Sequence, residues 1–502
     1  MKKSGPQIAA LCGSILFLVY TTPAQNRQVF PDADSAHSKT TPSNANGPKT
    51  AETSENPAVS EMELLRRRVD DVESQNRALM QIVTELKARL EASSKPEDTK
   101  VIASSEAAPK ISAPTVVETQ PQSSQPEANQ SARWSDLISE GNKFKLYGFL
   151  RLDLDFDSQR PNNSQTPLFI TSPDPAGGGA RIGEFSMHPR LTRLGIDYTG
   201  PRIAKLANAK LSGKLETDFE NGGSESRQII RIRQAFLRLD GDHFSMLAGQ
   251  TWDIVSPLFP TVNNDTLQWN AGNVGDRRPQ LRAAYEPTVG RGKFSFSGGV
   301  GLTGAIDALD LDNNGFRDGE ESRRPDLQGR IGYAYPVGKD RSASFGISGF
   351  YGFLKTARLV AGRTDFHSQL INVDFTLPLA SHFGLRGEGW WGRNMSDIRG
   401  GAGQGINTVT GQEIRGRGAW SEVNVKVSRY FSFSPGFSTD DPVDRDLPAG
   451  GRTRNRAFYF ANRITPGGNL LIGADYLRWL TNYNNLRRGL DNRLNIFFQY
   501  NF

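Results

Sequence analysis

From Trp134 onward the chain alternates apolar and polar residues with a period of two. Successive side chains of a strand point to opposite faces, so this pattern predicts strands with one apolar and one polar face. In the first strand Phe144, Leu146, Gly148, Leu150, Leu152, Leu154 and Phe156 share a face, and Lys145, Tyr147, Arg151, Asp153 and Asp155 share the other. Leu211, Gly213, Leu215, Thr217 and Phe219 alternate in the same way with Ser212, Lys214, Glu216 and Asp218. In the closing stretch N-R-L-N-I-F-F-Q-Y-N-F, Leu494, Ile496, Phe498, Tyr500 and Phe502 form the apolar face. Arg493, Asn495, Gln499 and Asn501 oppose them, and Phe497 breaks the pattern. About 16 such segments follow one another, most near the ~9–11 residues a tilted strand needs to cross a bilayer. A bulge around Gln234 shifts the assignment of faces there.

The connections alternate in length. Short ones are 240–243, 336–341, 378–382 and 465–469; long ones are 157–187, 252–275, 301–325, 392–416 and 434–453. Short turns on one rim and long loops on the other suit a transmembrane barrel, with polar residues facing a lumen and aromatics facing lipid. A soluble β-sandwich would reverse that polarity. The prediction is an all-β, 16-stranded antiparallel transmembrane β-barrel over 134–502, preceded by an N-terminal α-helical coiled coil.

The N-terminal part reads differently. Lys2 and Lys3, the apolar run from Ile8 to Tyr20 and Thr22-Pro23-Ala24 make residues 1–24 a secretory signal peptide. Residues 25–60 and 93–133 are Ser-, Pro- and Ala-rich and read as disordered linkers. Between them, Met62, Leu65, Val69, Val72, Asn76, Leu79, Val83, Leu86 and Leu90 step by three and four, a heptad seam over 61–92. Val at a with Leu at d leans towards a dimer. The run Arg68 to Glu73 resembles a trimer-favouring pattern, and the barrel favours a trimer too. The only cysteine, Cys12, lies in the signal peptide, so the mature chain has no thiol chemistry. A net charge of +6 with arginines and acids interspersed does not point to nucleic acid.

The heptad run, F-K-L-Y-G-F-L-R-L-D in the first strand, R-I-R-Q-A-F-L-R-L-D-G from Arg231, M-L-A-G-Q-T-W from Met246 and the terminal Phe502 together resemble trimeric outer-membrane porins of the DcaP-like family. The resemblance implies a homotrimer in the bacterial outer membrane, a periplasmic coiled coil, and passive diffusion of small hydrophilic solutes. It leans towards small anions such as dicarboxylates, with outer-membrane lipid as the surround. A structural tether, reaching peptidoglycan through the coiled coil, is the alternative. No nucleophile motif accompanies the few histidines, so no enzyme and no required cofactor is expected.

Inward positions carry Arg151, Arg193, Arg231, Arg233, Arg282, Arg330 and Arg386. The planar guanidinium fork matches carboxylate and phosphate, so these are the expected pore-lining, solute-contacting residues. In trimeric porins the third long loop narrows the lumen. Here it is 252–276, rich in Pro and aromatics, with Asp253 and Asp265 as candidate constriction carboxylates. A separate motif, Asp310-x-Asp312-x-Asn314-Gly315 with Glu321 six positions on, matches the spacing of a calcium-binding loop. Phe316 would offer its carbonyl and Asp318 a carboxylate. The flanks read as loop and strand, so the expectation is a calcium-binding surface loop over 310–321, not a helix–loop–helix domain.

Overall fold

A computed structural model describes residues 142–502, apart from 165, 179–180, 221–228, 263–267 and 339–340. The signal peptide, both linkers, the coiled-coil seam from Leu65 to Leu86, and Asp265 lie outside these described residues. Sixteen antiparallel strand positions form one closed barrel. They are β1 (Lys143–Asp157), β2 in two pieces (Glu184–His188 and Arg193–Ile203), β3 (Ala209–Asp218), β4 (Arg231–Asp240), β5 (Phe244–Trp252), β6 (Arg277–Tyr285), β7 (Gly292–Gly301) and β8 (Asp326–Gly338). Then follow β9 (Arg341–Val360), β10 (Arg363–Leu377), β11 (Phe383–Arg393), β12 (Arg415–Lys426), β13 (Phe431–Pro442), β14 (Arg452–Gly467), β15 (Leu470–Tyr483) and β16 (Gly489–Asn501).

Each strand pairs with its sequence neighbours, and β1 pairs with β16 to close the ring, Leu150 opposite Tyr500 and Leu154 opposite Ile496. Phe502 exchanges two backbone hydrogen bonds with Gly148, at 3.1 and 3.3 Å. Closure leaves no free edge, so every strand can satisfy its amides within the sheet.

The burial pattern inverts that of a soluble protein. Leu146, Leu150, Ile331, Phe345, Ile347, Ile371 and Tyr500 are exposed, whereas Asp153, Asp155, Asp218, Asp374, Glu388 and Asp475 are buried. Such an arrangement would be costly in water and is favourable when hydrocarbon surrounds the barrel.

The short turns 204–208, 241–243, 286–291, 378–382, 427–430 and 468–469 lie on one rim. On the other lie 158–183, 253–276, 302–325 and 394–414. One expected long loop is corrected. Most of 434–453 is strand, because β13 runs on to Pro442 and the loop is only 443–451. Its inward positions, Ser434, Ser438 and Asp440, are buried polar residues. In a soluble sheet such residues, with Pro435 and Gly436 among them, would signal a loop; lining a lumen, they are the polar face of a strand. The β9–β10 hairpin departs in the other direction. Its turn is only 361–362, but β9 has 20 residues, about twice what a crossing needs.

The bulge expected near Gln234 is present. Register shifts between Glu216 and Thr217, where Gln234 and Ile232 are the partners and Arg233 is the extra residue. Ile232 below it and Leu237 above it are both exposed, although they differ in parity.

A charge placed on the outer face tests the inversion. Ile347→Arg should destabilise the folded barrel by about 2–4 kcal/mol if Ile347 sits near the bilayer midplane. The readout is a urea unfolding midpoint in lipid vesicles; an unchanged midpoint would show that this face does not meet hydrocarbon.

Candidate pore constriction

Residues 253–262 leave β5, turn into the barrel and run along the inner wall, and 268–276 return along it to β6. Ile254 N donates to Gln328 Oε1 at 2.7 Å. Val255 O accepts from Ser348 Oγ at 2.6 Å and Asn372 Nδ2 at 2.8 Å. Glu388, buried, accepts from Ser256 Oγ at 2.6 Å and Leu258 N at 2.9 Å. Glu422 accepts from Thr261 N at 2.8 Å and Thr261 Oγ1 at 2.6 Å. On the return, Asn270 O accepts from Asn455 Nδ2 at 2.7 Å and Gly272 O from Trp390 Nε1 at 2.8 Å. The loop thus touches strands from β8 to β14. Two glutamates in the interiors of the neighbouring strands β11 and β12 saturate backbone groups that an inward loop cannot give to bulk water.

Between these polar contacts, apolar inward residues also meet the loop. Val255 and Val274 pack with Phe350, Leu370, Trp390, Met395 and Ile398. Val262 and Ala271 pack with Ile170 of the 158–183 loop and with Ala457, Tyr459, Leu477 and Trp479. Trp390, Trp420 and Trp479 are therefore fully buried inside the barrel, contrary to the expectation that aromatics face lipid. Each indole N–H finds an acceptor: Gly272 O, Glu388 Oε2 and Asn455 Oδ1. Phe497, the break in the last strand, is likewise inward. Arg151 stacks on its ring at 3.7 Å, and Arg463 lies over it at 5.0 Å.

The uncovered wall of β1 to β4 is charged. Arg231 makes a two-pronged contact with Asp218, at 2.9 and 2.7 Å. Arg233 bonds Glu216 Oε1 at 2.9 Å and Asp218 Oδ2 at 2.6 Å, and Arg193 lies 3.7 Å from Glu216. The bulge turns Arg233 and Gln234 to the same side, and Gln234 Nε2 also reaches Glu216, at 3.3 Å. Two strands along from them, at the base of the loop, Arg277 stacks on Trp252 at 4.6 Å and pairs with Asp276 at 3.2 Å. Arg399 joins the same carboxylate at 3.0 Å. Burial disfavours the charge on Asp276, but Arg399 and Arg277 outweigh it and hold the carboxyl below its ordinary range. Among the described residues this cluster sets five guanidiniums, Arg193, Arg231, Arg233, Arg277 and Arg399, against three carboxylates, Glu216, Asp218 and Asp276. The Arg231 side chain is a third exposed and Arg193 27% exposed, so guanidinium surface remains open to the lumen.

The other expected arginines are spread around the wall and matched locally. Arg151 pairs with Asp153 at 2.7 Å, Arg330 with Asp374 at 2.7 Å, and Arg386 with Glu422 at 2.7 Å. Arg386 also donates to Thr261 Oγ1, so it fastens the loop. Arg282 bonds Gln280 Oε1 at 2.8 Å and the Trp252 carbonyl. Asp253 corrects an expectation: it presents no carboxylate to a constriction. It is buried, with Arg278 Nε at 2.6 Å and Gln328 Nε2 at 3.0 Å. Arg277 and Arg278 were not singled out from sequence. They follow Asp276 in a run that also reads as the end of a loop, and only the folded loop shows which charges they meet.

No protein-family model matches the chain, and no curated protein matches it significantly. Solved structures do. The outer membrane channel DcaP of Acinetobacter baumannii matches with a TM-score of 0.59 and 17% identity, over 72% of this chain and 98% of that one. The anion-selective porin from Comamonas acidovorans matches with a TM-score of 0.45 and 13% identity, over 72% and 100%. The trimer form of OmpT from Vibrio cholerae matches with 0.45 and 12%, over 72% and 100%. At these identities the likeness is one of fold: the chain has the barrel of an outer-membrane channel.

Two predictions follow the loop. Glu388→Ala combined with Glu422→Ala should release it from the wall and give larger, noisier single-channel conductance; conductance equal to the parent would mean the loop does not set the aperture. Arg278→Ala leaves Asp253, Asp326 and Asp397 buried without their cation. It should destabilise the barrel by about 3–5 kcal/mol, seen as a lower temperature for loss of the folded band in SDS gels.

Proposed function

We propose that the chain is an outer-membrane porin that passes small hydrophilic solutes by diffusion and favours small anions, dicarboxylates among them. The observation that carries this reading is the guanidinium surplus of Arg193, Arg231, Arg233, Arg277 and Arg399, gathered where the loop meets the uncovered wall. A lumen with low-dielectric sides focuses the field of such a cluster, raising the local concentration of the opposite charge. A guanidinium pairs with a carboxylate through two parallel hydrogen bonds, and spaced arginines suit a solute with two such groups. The withdrawal of Asp253 beneath Arg278 removes a negative charge from the path. Wall acids remain, but Glu216 and Asp218 are committed to arginines.

In this reading the barrels assemble as a homotrimer, with residues 61–92 as a periplasmic coiled coil that conduction does not require. The tether to peptidoglycan is the second reading, and an ordered loop bonded along the lumen favours a channel over a simple anchor. Deleting 61–92 separates the two, since a porin still conducts.

The test is the reversal potential of the purified protein in a planar bilayer under a KCl gradient, paired with succinate entry into proteoliposomes. Anion selectivity in three-step events is expected. One unit charge about 4 Å from the path is worth roughly 1 kcal/mol in water, so Arg231→Ala should lower anion preference by up to about fivefold. Cation selectivity in the parent would overturn the anion reading, and an absence of channels from folded protein would favour the tether.

A further inference from the structure

The loop from 302 to 325 takes no part in the constriction, and its acidic run has no explanation in solute passage. Oxygens of Asp310, Asp312 and Asp318 lie within 4.8 Å of one another. Asp318 is completely buried. Its Oδ2 accepts only from Leu311 N, at 3.0 Å, and its Oδ1 has no hydrogen-bond partner among the described residues. Asp312 Oδ1 is buried and unpartnered in the same way, while its Oδ2 accepts from Arg358 N at 2.7 Å. Leaving a buried carboxylate oxygen unpaired is costly, more so when further carboxylates face it. No arginine or lysine among the described residues forms an ion pair with these aspartates; Arg317 turns instead to Glu320, at 3.6 Å. Burial, then Asp312, Asp310 and Glu321, push the Asp318 carboxyl up to about 7 against the hydrogen bond from Leu311.

The surrounding geometry is that of an oxygen cage. Asp310 accepts from Asn314 N at 3.0 Å and Gly315 N at 2.9 Å, which curls the loop. Gly315 has φ +88°, the left-handed turn that glycine adopts without strain. A short helix begins at Asp318 and carries Glu321 back over the loop, with Asn314 Nδ2 at 3.0 and 3.1 Å from its two oxygens. Asn314 Oδ1 accepts from Phe316 N at 2.8 Å, so an ion would have to turn the amide and take the oxygen from that bond to face the carboxylates.

We propose that Asp310, Asp312 and Asp318, completed by Asn314 and Glu321, bind one calcium ion on the long-loop rim. Calcium accepts several oxygens in a flexible shell, as these offer, whereas magnesium demands a tighter octahedron. The ion would neutralise the unpaired oxygens and pin the loop to the β9–β10 hairpin. Leu309 and Leu311 already pack there on the cluster of Leu354, Val360 and Phe366. This inference does not depend on solute selectivity.

Full-length protein, stripped with EDTA in detergent, is titrated with CaCl2 and MgCl2 by calorimetry, and its heat-modifiability temperature is followed in parallel. One calcium per chain is expected, with a Kd of about 10⁻⁴–10⁻³ M, the range of extracellular modules, and a rise in melting temperature. Asp318→Asn should weaken binding at least ~tenfold, while Glu286→Gln on the opposite rim should not. If Asp318→Asn fails to give a folded band, Asp310→Asn and Glu321→Gln serve in its place. No calcium heat, equal binding of magnesium, or binding indifferent to all three substitutions would overturn the site.

Discussion

Arg278 is a guanidinium that water does not reach, and it meets three carboxylates at once. Its Nε lies 2.6 Å from Asp253 at the start of the lumen loop. Its Nη1 reaches Asp326 at 3.1 Å, where β8 begins, and Asp397 at 2.8 Å, in the 394–414 loop. Nη2 donates to the Asp397 carbonyl at 2.7 Å. An inward loop must leave the wall somewhere, and its root would otherwise be a row of buried, unpaired groups. The arginine supplies donors in several directions from one rigid plane, which a lysine could not. Asp397 in turn accepts from Gly304 N and Ile306 N, so the adjoining 302–325 loop hangs on the same point. The stability of such a buried cluster comes from its completeness; its arrangement decides where the loop can run.

That anchoring divides the lumen into two chemistries. From β9 to β15 the wall is covered, with apolar patches that bury Trp390, Trp420 and Trp479 set between polar residues such as Ser348, Asn372, Glu388 and Glu422 that hold the loop. From β1 to β4 it is charged and uncovered. The arginines there are not free cations in water, since each has carboxylates beside it. Their effect rests on the surplus and on the portion of Arg231 and Arg193 that solvent still reaches.

Much of the barrel was legible because its rule is local. A period of two marks a strand, and polar residues on the buried face mark a lumen; Asp153, Asp155 and Asn495 sit where the alternation puts them. The bulge at Arg233 was legible for the same reason, as a parity change between Ile232 and Leu237. The failures share a cause as well. Trp390 and Trp479 are buried inward because a distant segment packs on them, and Phe497 because Arg151 and Arg463 lie over its ring; alternation carries no information about what will cover an inward position. Asp253 was assigned to the aperture for its place in the loop, yet its role is fixed by Arg278, 25 residues away. Likewise Ser434 and Ser438 in β13 resembled a loop because small polar residues serve equally for turns and for lumen walls.

The bulge in β4 also bears on how this chain can vary. A period-two code has no memory of which residue came first, so the extra residue at Arg233 is the only thing that keeps Arg231 and Arg238 in phase with the same interior. Deleting Arg233 itself would restore an unbroken ladder with Ile232 and Leu237 still on the outer face, whereas deleting a residue from a regular stretch of the strand would rotate everything on one side of the cut by half a turn, carrying arginines towards hydrocarbon. Insertions of two would leave the phase intact. Change by substitution is therefore open to this segment, whereas outside the bulge a change in length keeps the phase only in even steps, and the charge pattern of the passage is protected by arithmetic as much as by energy.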